Sequence, residues 1–297
     1  MRITRYAAAL AAVGVVLAGC SSQAGNQAAS TADNTVAVDT ATSFPAGTTM
    51  AKLHDAGAIT IGTKFDQPGF GLRNPQTNRP EGFDVEIGKL VAAKLGIPQD
   101  KITWTETVSA NRESFIKNGQ VNLIVATYTI NDTRKQQVDF AGPYYVAGQD
   151  IMVAKGNPEK ITGPEALAGK TVCSVEGSTP AETIRTKYPQ AQLTLFDTYS
   201  KCADALTNKQ VQAVTTDNVI LTGLVAGNKE GFELVGKPFT QEPYGIGLMK
   251  GDTEFRTFVN DVLEESFKDG AWAKAWDSTA GAITGTKAPQ PPTVNRY

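Results

Sequence analysis

The polar residues best suited to hold a small charged molecule sit directly after apolar runs of the sequence. Lys64 follows Ile59-Thr-Ile-Gly-Thr63, and Thr127, Thr129 and Arg134 follow Val121-Asn-Leu-Ile-Val-Ala126. Glu176 and Thr179 follow Val172-Cys-Ser-Val175, and Asp217 follows Val214-Thr-Thr216. An arginine beside threonine hydroxyls suits a carboxylate, because the guanidinium donates two parallel hydrogen bonds. An aspartate suits an ammonium. A free amino acid carries both groups.

The elements that present these residues alternate between strand and helix. Periodicity predicts strands over 58–64, 102–106 and 121–126, with helices over 84–95, ended by Gly96 and Pro98, and over 109–118. A second series has strands over 150–155, 171–175, 192–196 and 210–215, with helices over 180–188, 199–208 and 217–226. A strand over 244–249 and a helix over 253–268 close the pattern. Two blocks of this kind mean two α/β sheets. Open α/β sheets bind ligands beyond the carboxyl ends of their strands, where the polar residues above lie.

Composition excludes other classes. The chain has 297 residues, 20% charged and 41% hydrophobic, with 28 Lys+Arg against 30 Asp+Glu and a formal charge of −2. No run of five like charges and no basic stripe occurs, so no nucleic-acid partner is expected. One histidine and three cysteines, with no H-E-x-x-H or C-x-x-C, argue against zinc, and no cofactor is expected. His54, ahead of the first strand, reads as a surface residue.

The N-terminus carries a compartment signal. Arg2 and Arg5 precede an apolar stretch from Ala7 to Leu17, too short for a bilayer span of about 20 residues but suited to a signal peptide over 1–19. Leu17-Ala-Gly-Cys20 looks like a lipoprotein processing box that would leave Cys20 acylated. Residues 20–47 then read as a flexible tether, and 282–297, with Pro289, Pro291 and Pro292, as an extended tail. Export puts Cys173 and Cys202 in an oxidising compartment, where a disulfide between them would stabilise the fold by about 3–4 kcal/mol in the chain-entropy view.

Gly82-Phe-Asp-Val-Glu86, the stretch from Val121 through Arg134 to Gly142-Pro-Tyr-Tyr145, and Tyr244-Gly-Ile-Gly247 resemble the polar amino-acid solute-binding proteins of ABC importers. The resemblance covers Met50 to about Trp276. It implies the type II periplasmic-binding fold, with lobe one at 48–148 and 243–281, lobe two at 149–242, and hinges near Gly148 and Gln241. It further implies that Arg134 and Thr129 grip the ligand α-carboxylate, that the backbone N–H of Thr179 meets it from lobe two, and that Asp217 takes the α-ammonium. Thr127 belongs to the same loop. Arg112 matches an arginine of the acidic-amino-acid branch, and Lys64 stands where relatives taking uncharged or basic side chains often have an acid. Asn131 departs from a common threonine and still suits a helix cap. As plain surface residues, Lys64 would be solvated and Arg112 would pair with Glu113 or Glu106. Phe65, Phe70 and Tyr128 stack on a ligand or pack in the core.

Two cations left over after the ligand backbone is satisfied favour a ligand with its own side-chain carboxylate, L-glutamate or L-aspartate, because buried unpaired charge is costly. The implied protein is a monomeric, lipid-anchored, non-enzymatic receptor on the outer face of the membrane that delivers its ligand to an ABC permease. Two other readings are a sensor domain of a membrane kinase and a dehydratase-like lyase on the same fold with Glu176 as a proton-transfer group.

Overall fold

The computed structural model describes residues 36–297; the leader at 1–19, Cys20 and the tether up to residue 35 lie outside the described residues. In chain order the first block comprises α1 (Thr49–Ala56), β1 (Ile59–Thr63), β2 (Asp66–Gln67), β3 (Gly71–Arg73), β4 (Pro80–Glu81) and α2 (Phe83–Lys94). It continues through β5 (Ile102–Glu106), α3 (Arg112–Lys117), β6 (Leu123–Ile124), α4 (Asp132–Lys135) and β7 (Asp139–Ala147). The second block holds β8 (Gln149–Ala154), β9 (Thr171–Val175), α5 (Thr179–Lys187), β10 (Gln192–Phe196), α6 (Tyr199–Thr207), β11 (Ala213–Asp217), α7 (Asn218–Gly227) and β12 (Phe232–Leu234). The chain returns to the first sheet as β13 (Glu242–Leu248), followed by α8 (Thr253–Asp269), α9 (Ala271–Ser278) and α10 (Ala280–Thr284).

The two five-stranded sheets have the orders β5-β1-β6-β13-β7 and β10-β9-β11-β8-β12. In each, the first three strands are parallel with the earliest in the middle. That order reversal is a switch point, so the loops after β1, β6, β9 and β11 open into one crevice. Two crossings join the sheets, at Gly148 and at the segment before Glu242. They lie side by side, with Gln149 N–H donating to Thr240 Oγ1 at 2.9 Å and Phe239 N–H to Gln149 O at 2.9 Å. A Cβ on Gly148 would come within 2.9 Å of both Pro238 and Thr240, so only glycine allows this approach.

Beneath the crevice Phe70, Phe83, Tyr144, Tyr145, Tyr244 and Trp276 pack edge to face, tilted or stacked. Cys173 of β9 and Cys202 of α6 are both buried and form the expected disulfide. Among the described residues no helix is long and apolar enough to cross a membrane.

The predicted elements agree with the structure most closely at β5, β9 and β10. Strand β7 was not foreseen, since Gly142 and Pro143 interrupt its pattern. It tolerates proline because it is an edge strand, free of a second ladder. The helix expected over 109–118 is split into a 3-10 turn, Ser109–Asn111, and α3.

Three expectations need correction. The tail is not a free extension: α10 runs to Thr284, Val294 is buried, and Asn295 N–H donates to Gly142 O at 2.8 Å. Nor does the tether last to residue 47, because Asp39 N–H donates to Ala93 O and Phe44 packs on His54 and Phe258. His54 is therefore half-buried, its Nδ1 lying 2.8 Å from Leu95 O.

Candidate functional site

Lys64 leaves β1 pointing into protein rather than solvent. It is buried and its Nζ donates to Ser109 Oγ at 2.9 Å. Burial, with help from the nearby Arg112 and Arg134, pushes its ammonium down to about 7, against the opposing pull of Asp66 and Asp84.

Arg112 opens α3 behind the 3-10 turn and is also buried. It does not pair with Glu113 or Glu106. Its Nε donates to Ser109 O at 3.3 Å, Nη1 to Ala126 O at 3.2 Å, and Nη2 to Gly177 O at 3.3 Å. The guanidinium lies 4.2 Å above the Tyr128 ring. Carbonyls and a π face thus satisfy its donors without a formal countercharge. Neither Lys64 nor Arg112 makes an ion pair among the described residues.

Arg134 sits on the short α4, whose first turn is capped by Asn131 Oδ1 accepting from Arg134 N–H at 2.9 Å, as expected. Its Nη1 donates to Thr129 O at 2.7 Å and its Nη2 to Gly177 O at 2.9 Å, while Nε lies 3.5 Å from Glu113. Burial and then Arg112 lower this guanidinium to about 10. Both arginines therefore converge on one carbonyl of the other sheet's loop. Gly177 presents that carbonyl at φ +75, and a Cβ there would meet Ala110 Cα at 2.7 Å, so the residue is restricted to glycine.

Thr127 has its N–H on Asp84 Oδ2 at 2.8 Å and its hydroxyl on Gln67 Oε1 at 3.0 Å, which places it as a holder of the loop. Thr129 bridges to Tyr244. Its Oγ1 is 3.2 Å from Thr179 Oγ1, which donates to Glu242 Oε2 at 2.7 Å. The cap of α5 is Ser178, so Thr179 is the first helical residue.

Asp217 is buried at the end of β11. Tyr244 OH donates to its Oδ2 at 2.6 Å, and its Oδ1 has no partner among the described residues. Burial and then the Glu242 carboxylate raise it to about 8.

The arrangement has donors on one side and an underused acceptor on the other, as binding of a zwitterion requires. Residues 59–278 match the model of the bacterial extracellular solute-binding proteins, family 3. The chain belongs to that family. This solute-binding protein is 41% identical over 227 residues to the glutamate-binding protein GluB of Corynebacterium efficiens, covering 73% of this chain and 77% of that one. It is 40% identical over 225 residues to the ABC transporter glutamine-binding protein GlnH of Bacillus subtilis, covering 75% and 81%. The crystal structure of a solute receptor for L-cysteine of Neisseria gonorrhoeae superposes with a TM-score of 0.75 at 30% identity, over 80% of this chain and 95% of that one. The protein is thus a solute-binding protein rather than an enzyme.

In the solute-binding protein Glu176 is exposed and apart from the buried set. Phe70 lies in the aromatic core and Phe65 carries the Arg73 guanidinium at 4.3 Å. Tyr128 supports Arg112 and Arg134, the latter at 5.0 Å. Sequence reasoning missed Glu242 and Asp84. The buried Glu242 accepts from Thr179 and from Thr240, and Asp84 accepts from Thr127 N–H and, at 2.7 Å, from Tyr144 OH. Burial raises Asp84 to about 7. An acid heading a strand or helix carries no sequence mark of burial; the polar Glu242 preceding Pro243-Tyr-Gly was the available signal for the hinge acid.

Proposed function

We propose that the protein captures L-glutamate outside the membrane and hands it to the transmembrane subunits of an ABC permease, with Arg134, Thr129 and the backbone N–H of Thr179 holding the α-carboxylate. Asp217 Oδ1 accepts the α-ammonium. Lys64 and Arg112 hold the side-chain carboxylate, and Thr127 shapes their loop. The observation that carries this reading is the pair Lys64 and Arg112: two buried basic side chains beside Arg134, neither in an ion pair among the described residues. An anionic ligand group offsets their desolvation, whereas a neutral amide does so less well. The similarity to a glutamate-binding relative supports the acid, and the comparable similarity to a glutamine-binding one makes the amide the second reading.

Calorimetry with the twenty amino acids tests it. Glutamate should bind most tightly, and Arg134→Ala should weaken it by about 2–5 kcal/mol, with some loss of stability because the guanidinium also ties Thr129 O and Gly177 O together. Tighter binding of glutamine would replace the acid by its amide. Anchoring through an acylated Cys20 belongs to the same proposal, and labelling with a radioactive fatty acid should be lost in Cys20→Ala.

A further inference from the structure

Residues 286–297 have no regular secondary structure and lie beyond the family match, which ends at 278. Their contacts are nevertheless specific. Asn295 N–H donates to Gly142 O on the edge strand β7, and Arg296 bridges Asp261 and Glu264 of α8 at 2.5 and 3.0 Å. The Tyr297 ring lies between two cations, Lys135 Nζ and the Arg256 guanidinium, each 4.3 Å from its centre. The Tyr297 hydroxyl accepts the N–H of Phe140 at 2.9 Å.

Two short routes lead from Tyr297 to the anion-binding arginines. Lys135 is the neighbour of Arg134 on α4, a helix of 4 residues, too short to hold its geometry unaided. Its carbonyl is also tied down, accepting from Lys250 Nζ at 2.7 Å. The second route runs through aromatic rings. Phe140 meets Tyr128 edge to face at 4.8 Å, and Tyr128 is the platform beneath both guanidinium groups.

We propose that Tyr297 is a positioning residue for the ligand site, bracing α4 through Lys135 and the Tyr128 platform through Phe140, so that Arg134 is held where it meets an α-carboxylate. This rests on the reading of Arg134 as the α-carboxylate grip. The simpler role, covering the open edge of β7, would protect the fold and leave ligand discrimination alone.

The readout is the ratio of affinities for glutamate and for its α-carboxamide, measured by calorimetry on the purified protein. Removing Tyr297's ring and hydroxyl in Tyr297→Ala should lower that ratio by roughly tenfold, the order expected from two cation–π contacts and a hydrogen bond. Tyr297→Phe keeps the ring between Lys135 and Arg256, so it should recover most of the ratio. Lys135→Met, which removes one of the two routes in a chain with its tail intact, should lose part of it and serves if Tyr297→Ala does not fold. Equal weakening of both ligands, or a lowered melting temperature with the ratio unchanged, overturns the proposal. Arg134→Lys is the control: if it leaves the ratio unchanged, the assignment of Arg134 fails. If it lowers the ratio while Tyr297→Ala does not, only the bracing role fails.

Discussion

The hydroxyl of Tyr244 donates to Asp217 Oδ2 at 2.6 Å, a bond between β13 of one sheet and β11 of the other. It occupies one carboxylate oxygen and leaves Oδ1 as the remaining acceptor. The same bond favours the charged form of Asp217 against the burial that raises it. Tyr244→Phe should therefore weaken amino-acid binding by about 1.5–3 kcal/mol, the range for a hydrogen bond to a charged group. Titration calorimetry would read this, and unchanged affinity would remove Asp217 from the ammonium site.

Lys64 and Arg112 should set side-chain selectivity. Lys64→Met keeps the length and apolar stem of the lysine and removes its charge. Glutamate should lose more affinity than glutamine, because only the acid loses a charge partner. Arg112→Met should act in the same direction with an added loss of stability, since the guanidinium also ties Ser109, Ala126 and Gly177 together. Equal losses for both ligands would show that neither residue reads the side chain.

The pH dependence should differ between the two ligands. In the free protein Asp217 is held near 8, so below that pH it is protonated and binding an ammonium expels a proton. Affinity then climbs with pH by up to about tenfold per unit, levelling near 8. Lys64 is held near 7, below its ordinary 10.5, so above 7 the free protein has lost the charge that a carboxylate needs, and binding takes a proton up. Glutamine should show only the rise. Glutamate should rise at acid pH as Asp217 loses its proton and fall at alkaline pH as Lys64 loses its charge. Superimposable profiles would contradict the placement of the glutamate side chain beside Lys64.

Much of this site was legible because strand ends are legible. Lys64, Thr129, Arg134 and Asp217 each follow an apolar run, and the structure buries all four, with Thr129 bonded to Arg134 and Lys64 and Asp217 close enough to feel its charge. What could not be read was how each charge is satisfied. Arg112 kept a surface pair as its alternative, and its burial depends on carbonyls from the β6 loop and from Gly177, groups that every residue possesses. The tail was misread for a related reason: its prolines exclude helix and strand but do not prevent docking, and the contacts of Tyr297 are made with residues more than a hundred positions away in some cases.

The disulfide should matter to the second sheet. Cys173 and Cys202 join β9 to α6 across a separation of 29 residues. The double variant Cys173→Ala with Cys202→Ala should unfold at lower denaturant, by about 3–4 kcal/mol in the chain-entropy view. Thiol counting under denaturing conditions without reductant should find neither cysteine free in the wild type.

Ligand binding should close the crevice. Contacts that cross it include the two arginines on Gly177 O, Tyr244 on Asp217, Thr179 beside Thr129 and on Glu242, and Asp66 Oδ2 accepting from Tyr199 N–H at 2.8 Å at the start of α6. Thr198, the cap position of α6, makes no side-chain cap bond, so this helix is capped from the first block, by Asp66 of β2. The crossings at Gly148 and before Glu242 are the two chain connections that must absorb a hinge rotation. A zwitterion held by Arg134 on one side and Asp217 on the other gains both contacts only when the sheets approach, and so shifts the population toward the closed form. Solution scattering should show the radius of gyration falling when glutamate is added to the wild type. Asp217→Ala should keep a value nearer the open one at the same ligand concentration, because the ammonium then has no acceptor across the crevice and only the Thr179 N–H is left to bridge it. Asp66→Ala should close at higher ligand concentration than the wild type, having lost the α6 cap. Scattering curves that coincide with and without saturating glutamate would show that the lobes do not clamp, and would remove the basis on which a permease distinguishes loaded from empty receptor.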